Sequence, residues 1–186
     1  LHPANLWKRN LENIDTKLTE LEMINSNFGK LPSHVHIINC DENISTMSLF
    51  KISDFGITIR GTSGLEISCF GKPCITAGTG RYSNLGFTLD SNNKEEYLSK
   101  LKNIHLLNEL SQQQISIAKW VAYATFNLRI WDLEGAESRF NYLKKGRHPF
   151  DHNLFIKYKS SEEINSNCDI RKFAYWVERD EIDYLK

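Results

Sequence analysis

The stretch Asp54-Phe55-Gly56-Ile57-Thr58-Ile59-Arg60-Gly61-Thr62-Ser63-Gly64-Leu65-Glu66-Ile67-Ser68-Cys69-Phe70-Gly71-Lys72-Pro73-Cys74-Ile75-Thr76-Ala77 decides the fold class. Its first seven residues carry β-branched side chains that suit a pleated surface, so they predict a strand that stops at Gly61. Residues 62–70 predict a helix opened by a hydroxyl N-cap and closed by Gly71. A side-chain oxygen satisfies the free amides of a helix start, and glycine tolerates the left-handed backbone that ends one. Residues 72–77 predict the next strand. Two strands joined by a helix pair in parallel, because a crossover returns the chain to the same end of the sheet.

Upstream, Trp7, Leu11, Ile14, Leu18, Leu21, Ile24 and Phe28 fall at spacings of three and four, which predicts an amphipathic helix over 5–28. Gly29 and Pro32 mark its end. Residues 35–38 predict a strand. Residues 45–52 predict a shorter helix, with Asp41-Glu42-Asn43 as its capping cluster. The alternation β-α-β-α-β implies a doubly wound parallel sheet with right-handed crossovers, a Rossmann-like α/β fold. Downstream come a Gly-rich loop over 78–86, the segment Phe87-Thr88-Leu89, a polar turn at 90–93, and helical patterns over 94–103 and 108–128. Residues 129–186 predict a helical or irregular C-terminal extension, with a last amphipathic stretch over about 170–185. The expected domains are therefore 1–128 and 129–186.

At 186 residues the chain is long enough to bury a core without disulfides or a structural metal. Lysine plus arginine number 23 and aspartate plus glutamate 23, which disfavours a nucleic-acid binder built on a broad basic field while leaving room for a local basic groove. Apolar residues at 40% and charged residues at 25% exclude collagen-like and wholly disordered chains. Cys40, Cys69, Cys74 and Cys168 form no CxxC pair and no zinc-type spacing with histidine, so they are expected to be reduced, mostly buried thiols. No apolar run reaches the roughly 18 residues of a membrane span, and the N-terminus lacks the pattern of a secretory signal; a cytoplasmic location is expected. The start at Leu1-His2-Pro3, without a methionine, reads as an excerpt of a longer polypeptide.

Chemistry concentrates where the strand ending at Arg60 runs into Gly61-Thr62-Ser63-Gly64. In open α/β sheets ligands sit outside the carboxyl ends of the strands. Glycines there allow close backbone approach, free amides and the helix dipole favour an anion, and the Thr62 and Ser63 hydroxyls add donors, so the position suits a phosphate. The alternative is that the hydroxyls merely cap the helix. Glu66, one turn on, either reaches back as a capping-box carboxylate or forward to a sugar hydroxyl. Arg81 and Tyr82 either face the cleft or serve as a solvated cation and a core ring. His34 and His36 share one strand face without a third ligand, which makes a metal site there improbable. Trp120, Tyr123, Phe126 and Trp131 fall near helical spacing and are expected in the core rather than on a stacking platform. Lys144-Lys145-Gly146-Arg147-His148 reads as a solvated basic run, or as a contact for anionic lipid or a glycolipid acceptor.

The series Gly61-Thr62-Ser63-Gly64-Leu65-Glu66, then Gly71-Lys72-Pro73-Cys74-Ile75, Gly78, Tyr82 and Gly86-Phe87-Thr88, resembles the pattern of bacterial capsule and surface-polysaccharide glycosyltransferases, including the Kdo transferases of capsule assembly. His2-Pro3, preceding the Thr-Ser element, resembles the His-Pro motif of those enzymes. The resemblance covers about residues 1–90 and implies the C-terminal, nucleotide-sugar-binding half of a glycosyltransferase-B fold, with a CMP-activated sugar such as CMP-Kdo as donor. It implies His2 as the catalytic group at the donor phosphate, and Gly61, Thr62, Ser63, Gly64, Glu66 and Tyr82 as the donor-binding set. No metal or resident cofactor is implied; the partners would be the nucleotide-sugar and a saccharide or glycolipid acceptor, with peripheral contact to the inner membrane. The acidic general base of such enzymes is expected from an N-terminal domain. A related enzyme using UDP- or GDP-sugars, and a non-catalytic α/β interaction module, are the alternatives.

Overall fold

A computed structural model describes residues 19–39, 42–131, 134–139 and 153–179 of the chain, which is mixed α/β. The described segments fall into two compact units, one formed by residues 44–131 with the C-terminal residues from 176, the other by residues up to 43 together with 132–175.

The first unit is built on the stretch that opens the sequence. Helix α2 (Thr46–Ile52) precedes strand β1 (Gly56–Thr58), helix α3 (Thr62–Ser68) and strand β2 (Cys74–Thr76). The two strands pair in parallel, with Gly56 opposite Cys74, Ile57 opposite Ile75 and Thr58 opposite Thr76. The β-α-β reading of 54–77 holds. Beyond the strands the register continues, since the Ala77 amide donates to the Thr58 carbonyl at 3.0 Å and the Gly78 amide to the Ile59 carbonyl at 3.1 Å. Leu89 adds a single parallel bridge to Ile75 on the far side of β2, through Thr76 N to Leu89 O (3.1 Å) and Leu89 N to Cys74 O (2.9 Å).

Residues 35–38 form a loop rather than the expected strand. They follow a helix end held by Gly29 at φ +59° and a turn in which Val35 N donates to Pro32 O, and among the described residues they pair with no strand. The sheet described is thus two parallel strands and one bridge. On the β1 side no described strand pairs, and Ile57 and Ile59 stand 53% and 70% exposed.

Helix α3 supplies the core on both its faces. Leu65 packs with Tyr82, Phe87 and Ala118, while Ile67 packs with Phe50 and Cys74. Helix α4 (Lys94–Lys102) begins at Asn93, whose side chain accepts from the Glu96 amide. Helix α5 (Gln112–Tyr123) begins with a reciprocal capping box between Ser111 and Gln114 and passes into a π-helical turn over Ala124–Leu128. Its apolar face, Ile117, Ala118, Val121 and Ala122, lies against the Leu65 cluster. Gly71 takes φ +81°, and a Cβ there would press to 3.1 Å from Ile115 of α5, so the glycine that ends α3 also lets α5 approach.

In the second unit, helix α1 (Thr19–Phe28) covers the described part of the helix expected over 5–28; residues 5–18 lie outside the described residues. Strands β3 (Ala136–Arg139) and β4 (Asn153–Ile156) pair antiparallel, followed by α6 (Ser161–Ser166) and α7 (Cys168–Glu178). The ladder within 129–186 has no counterpart in the reading of that region as helical or irregular. Asp169, 8% exposed, is satisfied by the Glu134 amide at 2.6 Å, the Tyr158 hydroxyl at 3.2 Å and the Ile170 amide at 2.7 Å.

Leu65 is 1% exposed at the centre of its cluster, so Leu65→Ala leaves a cavity where relaxation is limited. It is expected to cost about 2–5 kcal/mol in urea unfolding; a loss under about 1 kcal/mol would contradict this packing.

Candidate functional site

The turn from β1 into α3 is built by short-range bonds. Thr58 Oγ1 accepts from the Gly61 amide at 3.3 Å, and the Gly61 carbonyl accepts from the Gly64 amide at 3.1 Å. Gly61 is the N-cap, with extended backbone (φ −71°, ψ 157°), and no side chain caps the helix. Thr62 is therefore the first helical residue rather than a cap: the helix opens one residue earlier, with the Gly61 carbonyl already accepting from the Gly64 amide. Glu66 is half-buried, and among the described residues it makes no capping-box bond. The capping readings of Thr62, Ser63 and Glu66 are corrected.

Tyr82 reaches across from the loop after β2. Its hydroxyl donates to the Gly61 carbonyl at 2.5 Å, and its ring stacks on Phe87 at 6.0 Å with planes 26° apart. Gly64 makes room for this, since a Cβ there would collide with the Tyr82 hydroxyl and press on the Thr58 methyl at 3.1 Å. Tyr82 is 4% exposed, and burial above all, then the neighbouring Cys74, Asp90 and Glu66, pushes its pKa up to about 12. At neutral pH it is a protonated donor. The two readings of Tyr82 merge: the ring is core, the hydroxyl belongs to the site turn.

The loop after β2 lies beside the turn. Gly78 is bonded to Ile59, the Gly80 amide donates to Ser83 Oγ at 2.6 Å, and a Cβ at Gly80 would stand 3.4 Å from the Arg60 Cβ. Two loops leaving adjacent parallel strands thus converge at one sheet edge. Arg60, Gly61, Thr62 and Arg81 are exposed there, and Ser63 is half-buried.

Two residues that sequence reading passed over hold this edge. Asp90, read as part of a polar turn, accepts from Thr76 Oγ1 (2.8 Å), Thr88 Oγ1 (3.0 Å) and the Asn84 amide (2.7 Å), while Lys100 bonds its carbonyl. Ser68, fully buried, lies within hydrogen-bond reach of the Gly64 carbonyl (2.8 Å) and the Phe87 carbonyl (3.3 Å). An aspartate directly after the short segment Phe87-Thr88-Leu89 is a weak signal for such a role, and Ser68 carries none.

Of the predicted site residues, Gly61, Thr62, Ser63, Gly64 and Tyr82 come together, and Glu66 lies one turn along α3. His2 and the basic run 144–148 lie outside the described residues. His34 and His36 stand exposed in a loop, not on a shared strand face, and no group of three potential metal ligands occurs among the described residues. Cys74 is buried with its thiol pKa pushed up to about 12 by burial and then by Asp90, and Cys69 is half-buried; Cys168, exposed, is the exception to the expectation of mostly buried thiols, and Cys40 lies outside the described residues. Trp120 and Tyr123 do not enter the core: they are 71% and 46% exposed, because α5 spends its inward face on Ala118 and its neighbours. Among the described residues no helix is long and apolar enough to cross a membrane. No family model matches the chain, and no match was found among curated proteins or solved structures.

Gly64→Ala is expected to cost about 1–3 kcal/mol in chemical unfolding, the usual cost of overpacking, unless Tyr82 is shortened with it. The double variant with Tyr82→Phe should recover part of that loss; strict additivity would show that the two residues do not meet. The unfolded phenol ionises near pH 10.0, and that of the fold near 12. The folded chain therefore keeps a proton that the unfolded chain gives up, and stability falls as pH rises through this window. Wild type should lose stability over pH 10–12 more steeply than Tyr82→Phe, as read from urea midpoints; equal slopes would contradict the assignment.

Proposed function

We propose that residues 44–131 belong to a Rossmann-like, doubly wound nucleotide-sugar-binding domain, the C-terminal half of a glycosyltransferase-B enzyme of capsule or surface-polysaccharide synthesis, with a CMP-activated sugar such as CMP-Kdo as donor. The observation that carries the reading is the convergence of the 60–64 turn and the 78–83 loop at the carboxyl ends of adjacent parallel strands, the place where open α/β sheets hold ligands. The Gly-Thr-Ser-Gly series and the outline that follows it supply the family resemblance.

In this reading the amides that open α3, with the Thr62 and Ser63 hydroxyls, hold the single phosphate of the CMP donor, and Arg60 and Arg81 supply positive charge at the same edge. Tyr82 keeps the turn in shape from behind through the Gly61 carbonyl rather than touching the donor. Glu66 faces the sugar hydroxyls. The resemblance alone assigns His2 the role of donating to the phosphate. During transfer the bond between the anomeric carbon and the phosphate oxygen breaks, its electron pair leaving on CMP. The acceptor hydroxyl forms the new bond and gives its proton to a general base supplied outside these residues. Donors aimed at the departing phosphate stabilise the charge that develops on it, which is where such a site contributes to rate.

Thermal shift with CMP, UDP and GDP side by side tests the reading. CMP is expected to raise the melting temperature most; a ligand at 100 times its dissociation constant stabilises by about 2.7 kcal/mol. Ser63→Ala and His2→Ala are each expected to weaken CMP binding with the fold intact. Loss of a hydrogen bond to a charged group costs about 1.5–3 kcal/mol, roughly tenfold or more in affinity. A greater response to UDP or GDP would reassign the donor. No response to any nucleotide would sink the enzyme reading in favour of an interaction module.

A further inference from the structure

Helix α5 presents an outward face that its packing does not use. Ser116, Lys119, Trp120 and Tyr123, one helical stripe, line a shallow pocket of about 430 Å³. Trp120 and Tyr123 meet edge to face, with ring centroids 6.3 Å apart and planes at 86°. Trp120 is 71% exposed. Lys119 is the single charged residue of the helix, and no salt bridge engages it among the described residues. Ser116 Oγ donates to the Gln112 carbonyl at 2.8 Å, which leaves its oxygen free to accept.

We propose that this face binds the ring of an acidic saccharide, a pyranose bearing a carboxylate. A pyranose presents a patch of C–H bonds on one side and hydroxyls around its rim. The C–H patch is slightly positive and suits the negative face of an indole. Lys119 meets the carboxylate in a charge-assisted hydrogen bond, and the Ser116 oxygen and the Tyr123 hydroxyl meet the rim. The depression is open, so a ring laid on Trp120 keeps its outer face in solvent while its rim meets Ser116, Lys119 and Tyr123. A protein partner with no acid opposite Lys119 fits the face less well, since covering it would bury an unpaired ammonium. The proposal goes beyond the donor site of the 60–64 turn and does not require it.

The test is saturation-transfer NMR on the full chain with sodium glucuronate, glucose and sodium acetate, repeated with Trp120→Ala and Lys119→Gln. Both residues are exposed, so both variants should keep the native melting temperature. Glucuronate is expected to receive transfer through its ring protons and to bind at least tenfold more tightly than glucose. Trp120→Ala should abolish the transfer, and Lys119→Gln should bring glucuronate down to the level of glucose. Transfer to glucuronate that survives Trp120→Ala, or an affinity no better than that of acetate, overturns the proposal. So does absence of transfer, or self-association in sedimentation that Trp120→Ala removes, which would make the face a contact between copies. CMP binding, read separately in the same samples, distinguishes failure here from failure of the donor site.

Discussion

The hydrogen bond from the Tyr82 hydroxyl to the Gly61 carbonyl, made past the bare α-carbon of Gly64, ties together chain segments 21 residues apart. Three independent features meet in it. The turn from β1 into α3 brings a carbonyl to the sheet edge, glycine at 64 clears the space, and the loop after β2 delivers a ring whose other face lies on Phe87. A buried phenol must find an acceptor, since an unsatisfied hydroxyl in an apolar setting costs about 1–3 kcal/mol. That requirement fixes where the loop after β2 returns, and with it the edge at which Arg60, Thr62 and Arg81 are gathered.

Around that bond the unit uses polar side chains as internal ties between segments too short to form long ladders. The strands have three residues each, so backbone pairing alone gives them few bonds. Asp90 compensates by binding the end of β2, Thr88 and the Asn84 amide at once, and it holds Asn84 at φ +63°, in the left-handed region that a short polar side chain tolerates. Ser68 likewise joins α3 to the segment at Phe87. Such networks rigidify when each member is satisfied. The converging loops are therefore positioned from below by buried polar groups, while their outward surfaces remain available.

Exposure in this unit is distributed unevenly. Helix α5 divides into an inward face of small and branched residues and an outward aromatic one, because only residues such as Ala118 let it approach α3 closely enough to cover Leu65. At the sheet, Ile57 and Ile59 remain open on the side where β1 pairs with no described strand. Burial of a side chain here follows from which neighbour reaches it, and not from its hydrophobicity.

What could be read from the order of residues was local and periodic. The β-α-β alternation of 54–77, the helix end at Gly29, and helices α4 and α5 follow from propensity, capping and glycine conformations that act within a few residues. Even there the hydroxyl at 62 is no cap, because the helix opens at Gly61, whose carbonyl accepts from the Gly64 amide. Folding in three dimensions settled the rest. It left 35–38 in a loop that joins no ladder among the described residues, and it paired β3 with β4 across a span that periodicity does not measure. It turned Asp90, Ser68 and Tyr82 into ties, and set Trp120 and Tyr123 outside the core. Sequence carries intrinsic preferences, whereas partnership across distant segments depends on the contacts each side chain makes once the chain has closed on itself.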